Sequence, residues 1–302
     1  MKTSMKNDKS NRDSNFMPIV TLAFVAFDLF IWWQIFSSTA FFGAVPAVRE
    51  YFLDVGQGDS ELIVFPGNIK IMTDAGPDNA VLTSLARVMP SGDSYIDLAV
   101  ISHPDLDHFG GYNFILGHYR IGAFIYNGRG NGSDSREWVA LMAAIKERNI
   151  PLVTLARGDN IRIAANEIDM LSPNPAFVQS VETNDTTLIE LVKTPGLRTL
   201  LTGDAGFSVE DWLLANHVDV RADILKVGHH GSNYTSGSDF LRAVNPKVAV
   251  VEVGAKNTYG QPGKANLARI ASSTHAIIFR TDWNGTIEIH AENGKLKITK
   301  ER

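Results

Sequence analysis

The sequence predicts an α/β domain built of layered sheets, preceded by one membrane-spanning segment. Three observations carry this. Short apolar runs alternate with stretches of helical periodicity through residues 48–302, and Gly, Asp or Asn closes each run. Strands and helices interleaved in this way build stacked layers around a common core. Residues 17–47, in contrast, are almost wholly apolar and contain no Lys or Arg.

Composition narrows the classes further. Of 302 residues, 44% are hydrophobic and 20% charged, an ordinary globular balance that excludes a disordered or fibrous chain. There is no cysteine. Disulfide frameworks, thiolate metal sites and a Cys nucleophile are therefore excluded, and any metal must sit on His, Asp, Glu or Asn.

Taken in order, residues 1–16 form a polar tail in which Lys2, Lys6, Lys9 and Arg12 outweigh Asp8 and Asp13, a net of +2. Residues 17–47 are long enough for a helix to span a bilayer, which needs about 20 apolar residues. Trp32 and Trp33 suit a membrane interface, and the positive tail predicts the N-terminus inside and residues 48–302 outside. The expected location is therefore the cell membrane, with a single pass and an extracytoplasmic domain. Asp28 is costly near mid-bilayer and needs protonation, snorkelling or a partner helix. A signal peptide ending near Val45-Pro46-Ala47 is the rival reading, and a buried core helix a third. One span cannot form a channel.

Residues 48–302 hold 24 basic and 30 acidic side chains, a net of −6, with no repeat or low-complexity run. Strands are expected at 61–65, 69–73, 98–102, 123–126, 187–192, 199–202, 222–227, 248–253, 276–280 and 286–290. Helices are expected at 80–89, 136–148, 208–215, 238–244 and 265–272.

Chemistry concentrates where an apolar strand runs into His103-Pro104-Asp105-Leu106-Asp107-His108-Phe109-Gly110-Gly111. Pro104 stops the strand. Two imidazoles and two carboxylates packed this closely call for a cation, whereas an Asp-rich helix cap is the plainer alternative. Three further strand ends have the same form: Phe52–Ser60 with Asp54 and Asp59, Thr202-Gly203-Asp204, and Lys226-Val227-Gly228-His229-His230-Gly231-Ser232. Singly each reads more readily as a turn, but four together point to one site.

These segments resemble the metallo-β-lactamase superfamily, most closely the C-terminal domain of ComEC-type competence (DNA-uptake) proteins. The likeness runs through FLDVGQGDS, MTDAG, ISHPDLDHFGG, NDTTLIELV, LLTGDAG, ADILKVGHHGS, VEVGAKNTYGQP and FRTDWNGTIEI, in that order. It implies a four-layer αββα sandwich over residues 48–302 with a dinuclear metal site at one edge. By that resemblance His103 and Asp105 hold a first metal, Asp107 and His108 a second, Asp204 bridges them, and His229 completes the second, with His230 as the less favoured choice. Asp74 orients a His ligand, and Asp59 is a supporting residue. The Asn184-Asp185 segment replaces a further His ligand: Asn184 or Asp185 supplies an oxygen there, or a water fills the place. His118, His217, His275 and His290 are left as surface or structural residues. Asp105 makes the set oxygen-rich, so the expected cofactors are two divalent ions, Zn²⁺ or Mn²⁺.

The function so implied is a membrane-tethered, metal-dependent hydrolase. Phosphodiester cleavage of single-stranded DNA is the leading reading, with a bridging hydroxide as nucleophile. Asp107, Asp204, His230 and Lys226 form its catalytic set, and Lys226, Ser232 or Asn233 helps to hold the anion. Nucleic acid and a separate multi-span channel protein are the expected partners. Gln261 stands where the family has His before Pro, which removes one proton donor. Hydrolysis of small esters, lactones or phosphodiesters is one alternative, and a catalytically impaired metal-binding module is the other. The acidic domain disfavours tight duplex binding.

Overall fold

A computed structural model of the chain describes residues 25–34, 47–129 and 135–302. The chain divides into two compact units, residues 1–46 and 47–302. In the first, 25–34 form helix α1, whose Phe27, Leu29, Phe30, Trp32 and Trp33 are exposed. None of the described helices is long and apolar enough to cross a membrane. The expected span at 17–47 falls mostly outside the described residues.

The second unit begins with β1 (Arg49–Phe52), β2 (Glu61–Phe65), β3 (Ile69–Thr73), β4 (Tyr95–Ile101), β5 (Arg120–Tyr126) and β6 (Leu152–Thr154). The chain then crosses to a second sheet. That sheet holds β7 (Asn160–Ile163), β8 (Asn166–Ser172), β9 (Ile189–Thr194), β10 (Leu197–Leu201), β11 (Ile224–Lys226), β12 (Val248–Val251) and β13 (Ile277–Arg280). It returns through β14 (Ile287–Glu292) and β15 (Lys295–Lys300), which join the first sheet beside β1. The orders are β15-β14-β1-β2-β3-β4-β5-β6 and β13-β12-β11-β10-β9-β8-β7. Within them β3 to β6 and β10 to β13 run parallel, so consecutive members point their C-terminal ends the same way.

The pleat sorts side chains into three apolar layers, because successive residues of a strand face opposite ways. Ile63 and Phe65 of β2, Val100 of β4, Ile224 of β11 and Val248 of β12 fill the space between the sheets. Leu62, Ala99 and Phe124 face the other way, toward α2 (Ala80–Val88), α3 (Leu106–Phe109), α4 (Tyr112–Ile115) and α5 (Arg136–Glu147). On the far side Leu200, Leu225 and Ala249 meet α6 (Phe207–Ala215), α7 (Ser238–Val244) and α8 (Lys264–Ser273). Helices, sheet, sheet, helices: the four αββα layers are present. A short α9 (Thr281–Asn284) joins β13 to β14.

Helix positions follow the sequence closely, and α5 starts where the Ser135 hydroxyl accepts from Trp138 N at 3.2 Å. Strands β1, β6, β7, β8 and β15 were not foreseen. β6, β7 and β15 are largely exposed, and β15 (KLKITK) is a lysine-rich edge. Charged side chains that protect an edge from further pairing also hide the apolar pattern.

Candidate metal centre

Four loops at strand ends converge. β4 stops at Ile101, Ser102 and His103 follow, and Asp105 takes the N-terminal cap position of α3 with extended backbone. The carboxylate of Asp105 makes no capping hydrogen bond; it accepts instead from Thr183 Oγ1 at 3.1 Å. A plain helix cap is thereby set aside. α3, which carries Asp107 and His108, is drawn tightly against the loop after β3. A Cβ on Gly111 would lie 1.9 Å from the Ala75 carbonyl oxygen, so only glycine fits there. β10 leads to Asp204. β11 leads into the turn Gly228–Gly231, in which His229 (φ 47°) and His230 (φ 52°) are both left-handed. Such a conformation costs a non-glycine residue roughly 1–2 kcal/mol and typically persists where a site requires it.

Each imidazole is oriented by what its Nδ1 touches. Asp74 accepts from Ser102 N (2.8 Å), from Ser102 Oγ (2.6 Å) and from His108 Nδ1 (2.7 Å). The Ser102 hydroxyl, having given its proton to Asp74, accepts from His103 Nδ1 at 3.0 Å. His230 Nδ1 donates to the Glu252 carbonyl at 3.0 Å. In all three rings Nδ1 therefore holds a proton, and Nε2 is the atom offered to the centre. Around Asp204, His108 Nε2 lies 3.4 Å from Oδ1, while His230 Nε2 and His103 Nε2 lie 3.8 and 4.0 Å from Oδ2. Asp107 Oδ2 is 3.2 Å from His230 Nε2, and Asp105 Oδ2 is 3.5 Å from His103 Nε2.

The arrangement fits a metal. His103 Nε2, His108 Nε2 and Asp204 Oδ1 are buried with no hydrogen-bond partner, and burying such groups unpaired is costly. Sets of three donors that could hold an ion include His103, His108 and Asp204, and Asp107, His108 and His230. Burial would lower the His108 pKa, but the carboxylates of Asp204, Asp74 and Asp107 outweigh it and hold it well above its usual value. His230 is likewise pushed up to about 10 against its burial, by Asp204 and Asp59. Burial pushes the other way on Asp204, which His108 and His230 hold well below the carboxylate range. Without a cation, protons occupy the centre; a divalent ion would replace them.

Behind the rings lies a second charged layer. Asp59, wholly buried, accepts from Lys226 Nζ, and its Oδ1 lies 3.1 Å from His230 Nδ1. Lys226 is also wholly buried and donates to the Gly203 carbonyl at 2.9 Å. Expected to help hold the substrate anion, it has no solvent-facing surface from which to do so. Glu61 and Glu252 complete this layer, and Ser60 N donates to Glu252 Oε1 at 3.1 Å. Burial and the Asp59 charge raise Glu252 to about 8.

Other expected residues line the rim. Asn184 Nδ2 lies 3.2 Å from Nδ1 of His229, whose Nε2 is 3.7 Å from Asp204 Oδ2. Gln261 Oε1 accepts from Gln57 Nε2 at 2.8 Å, and its own Nε2 donates to the His229 carbonyl at 3.2 Å. Ser232 is half-buried beside them, and Asn233 is exposed. Asp185 turns to the hydroxyls of Ser180 and Ser208, and Asp54 to Arg302. His118, His217 and His275 are exposed, and His290 lies beside Glu288 on β14. Ser102, Thr183, Gln57, Glu61 and Glu252 were not anticipated. For the two glutamates a signal existed: each is a carboxylate within or directly beside an apolar strand, in ELIVF and VVEV.

An αββα sandwich with a buried His/Asp cluster across the ends of both sheets defines a metal-centre protein of the metallo-β-lactamase fold. The pattern of the metallo-beta-lactamase superfamily matches residues 53–254, and the chain belongs to that superfamily, whose members are typically metal-dependent hydrolases. Among curated relatives it is 28% identical over 259 residues to ComE operon protein 3 of Bacillus subtilis, covering 80% of this chain and 33% of that protein. It is 26% identical over 258 residues to competence protein ComA of Neisseria gonorrhoeae, covering 82% and 33%. Both are of the ComEC competence type, and the chain spans about a third of their length. The metallo-beta-lactamase fold protein YhfI from Bacillus subtilis shares the fold at a TM-score of 0.52 and 11% identity, covering 84% of this chain and 100% of that one.

Proposed function

We propose that the chain is a metal-dependent phosphodiesterase acting on single-stranded nucleic acid in a DNA-uptake setting. The observation that carries the reading is the convergence of three Nε2 atoms, each with Nδ1 already committed, on the buried carboxylate of Asp204. His103, Asp105 and Asp204 would hold one divalent ion. Asp107, His108, His230 and Asp204 would hold the other, with His230 in the place first expected for His229. Zn²⁺ and Mn²⁺ both suit these donors. When bound, such a pair supplies a hydrolytic water of lowered pKa and polarises the phosphoryl oxygens.

The protein's own part is to keep those donors in place. Asp74 and Ser102 fix two rings, the Glu252 carbonyl fixes a third, and the Asp59–Lys226 pair balances charge behind them. Similarity to competence proteins supports nucleic acid as substrate, and a separate multi-span channel protein is the partner proposed with it. The apolar 17–47 segment supports a membrane tether. The net charge of −6 over residues 48–302 favours a single strand drawn to the centre over a broadly bound duplex.

The test is to purify the protein, quantify bound metal by mass spectrometry, and assay the same sample on labelled single-stranded DNA with Mn²⁺ or Zn²⁺. About two ions per chain with EDTA-sensitive cleavage supports the reading. Two ions with turnover only of small esters or diesters would replace it with the small-substrate reading.

A further inference from the structure

We infer that Asn184 holds His229 in the tautomer that carries its proton on Nε2, so that His229 donates a hydrogen bond to an anionic oxygen of the substrate and is not a metal ligand. Only the identity of that anion rests on the phosphodiester reading.

The contrast with the other three rings carries the argument. Nδ1 of His103, His108 and His230 faces an acceptor, respectively a hydroxyl committed elsewhere, a carboxylate and a carbonyl. Nδ1 of His229 faces the amide nitrogen of Asn184 at 3.2 Å, and an amide nitrogen can only donate. A neutral imidazole that accepts at Nδ1 has its proton on Nε2. That nitrogen lies 3.7 Å from Asp204 Oδ2, at the edge of the centre, and a protonated nitrogen has no lone pair for a metal.

Position agrees with chemistry. The His229 side chain is 37% exposed, whereas those of His103, His108 and His230 are 0 to 2% exposed. Its ring stands at 82° to that of His230, with centroids 5.9 Å apart, so the neighbouring imidazoles serve different directions. The left-handed backbone that turns His229 outward is held by Gln261, whose amide reaches its carbonyl. Asn184 is itself well placed. The turn Thr183–Thr186 is tied to the centre twice, by Thr183 on Asp105 and by Asn184 on His229.

The test uses the zinc-loaded full chain labelled with ¹⁵N-histidine. His229→Gly, a residue that accepts left-handed backbone, assigns the signal. The wild type should show His229 protonated at Nε2 and bare at Nδ1, and inorganic phosphate should shift the Nε2–H resonance. Asn184→Asp, an acceptor of the same shape, should move the proton to Nδ1. His229→Gly should keep the wild-type metal content, whereas His230→Gly should lose an ion. A hydrogen bond to a charged group is worth roughly a tenfold change or more, so kcat/KM on a phosphodiester should fall by at least that in His229→Gly. A proton on Nδ1 of wild-type His229, no response to phosphate, or loss of an ion from His229→Gly would each overturn the assignment. If the wild type cleaves no phosphodiester, the spectra and metal content still decide the tautomer and the ligand question, and only the substrate class is lost.

Discussion

Asp74 shows how much one side chain arranges here. It sits in a left-handed conformation (φ 54°) just after β3 and accepts three hydrogen bonds, two from Ser102 and one from His108. Through Ser102 it also sets His103, so two rings depend on one carboxylate. Asp74→Ala should lower metal affinity by roughly 10- to 100-fold, measured by competition with a chelating dye. An unchanged affinity would mean that packing alone holds the rings. The family resemblance marked Asp74 as an orienting residue, but Ser102, the link to the second ring, carried no mark beyond its place before His103. A hydroxyl's role is set by what folds against it.

Between the two sheets, strands are joined by more than apolar contact. Thr199 of β10 donates to Glu50 of β1 at 2.6 Å, and Thr73 of β3 donates to Glu190 of β9 at 3.0 Å. All four residues are buried. Burial, only partly offset by the threonine, raises Glu50 to about 7 and Glu190 to about 8. The folded pKa lies above the unfolded one, so each glutamate's contribution is complete below about pH 4.5 and is lost as pH rises through 7 to 8. For Glu190 the loss is on the order of 5 kcal/mol. Glu190→Gln should therefore flatten the decline of Tm between pH 5 and 9, read by thermal melts across that range. A decline as steep as the wild type's would show that Glu190 does not titrate there. Glu190 lies in a segment that reads as a plain strand and Glu50 in one not foreseen as a strand, and nothing local shows which partner the opposing sheet will bring.

For the whole molecule, folding draws together carboxylates whose charge protonated histidines and Lys226 offset when no metal is bound. Asp59, Asp105, Asp107 and Asp204 all border the centre, in a domain already at −6. Metal binding is thereby linked to global stability. At 100 times its Kd a ligand adds about 2.7 kcal/mol, which for a domain of this size corresponds to roughly 5–10 °C. Chelation should lower Tm by that order, and Zn²⁺ or Mn²⁺ should restore it, as scanning calorimetry would show. No shift in either direction would mean that metal binds too weakly to be linked to folding.

An α/β domain of layered sheets was legible because it depends on local alternation: Leu62 and Ile63, or Ile224 and Leu225, must face opposite ways in any strand they form; the four-layer αββα order came from the family resemblance. The loops carrying His103, Asp105, Asp107, His108 and Asp204 were legible too, since strand ends punctuated by Gly and Asp are a local signature. What the sequence could not decide is which atom faces which. His229 and His230 are adjacent and chemically identical. Only the left-handed turn, the Asn184 amide on one and the Glu252 carbonyl on the other give them opposite tautomers and opposite surroundings. Those partners lie 45 residues before and 22 after their rings, and a proton's position is set by contacts that exist only once both sheets have closed.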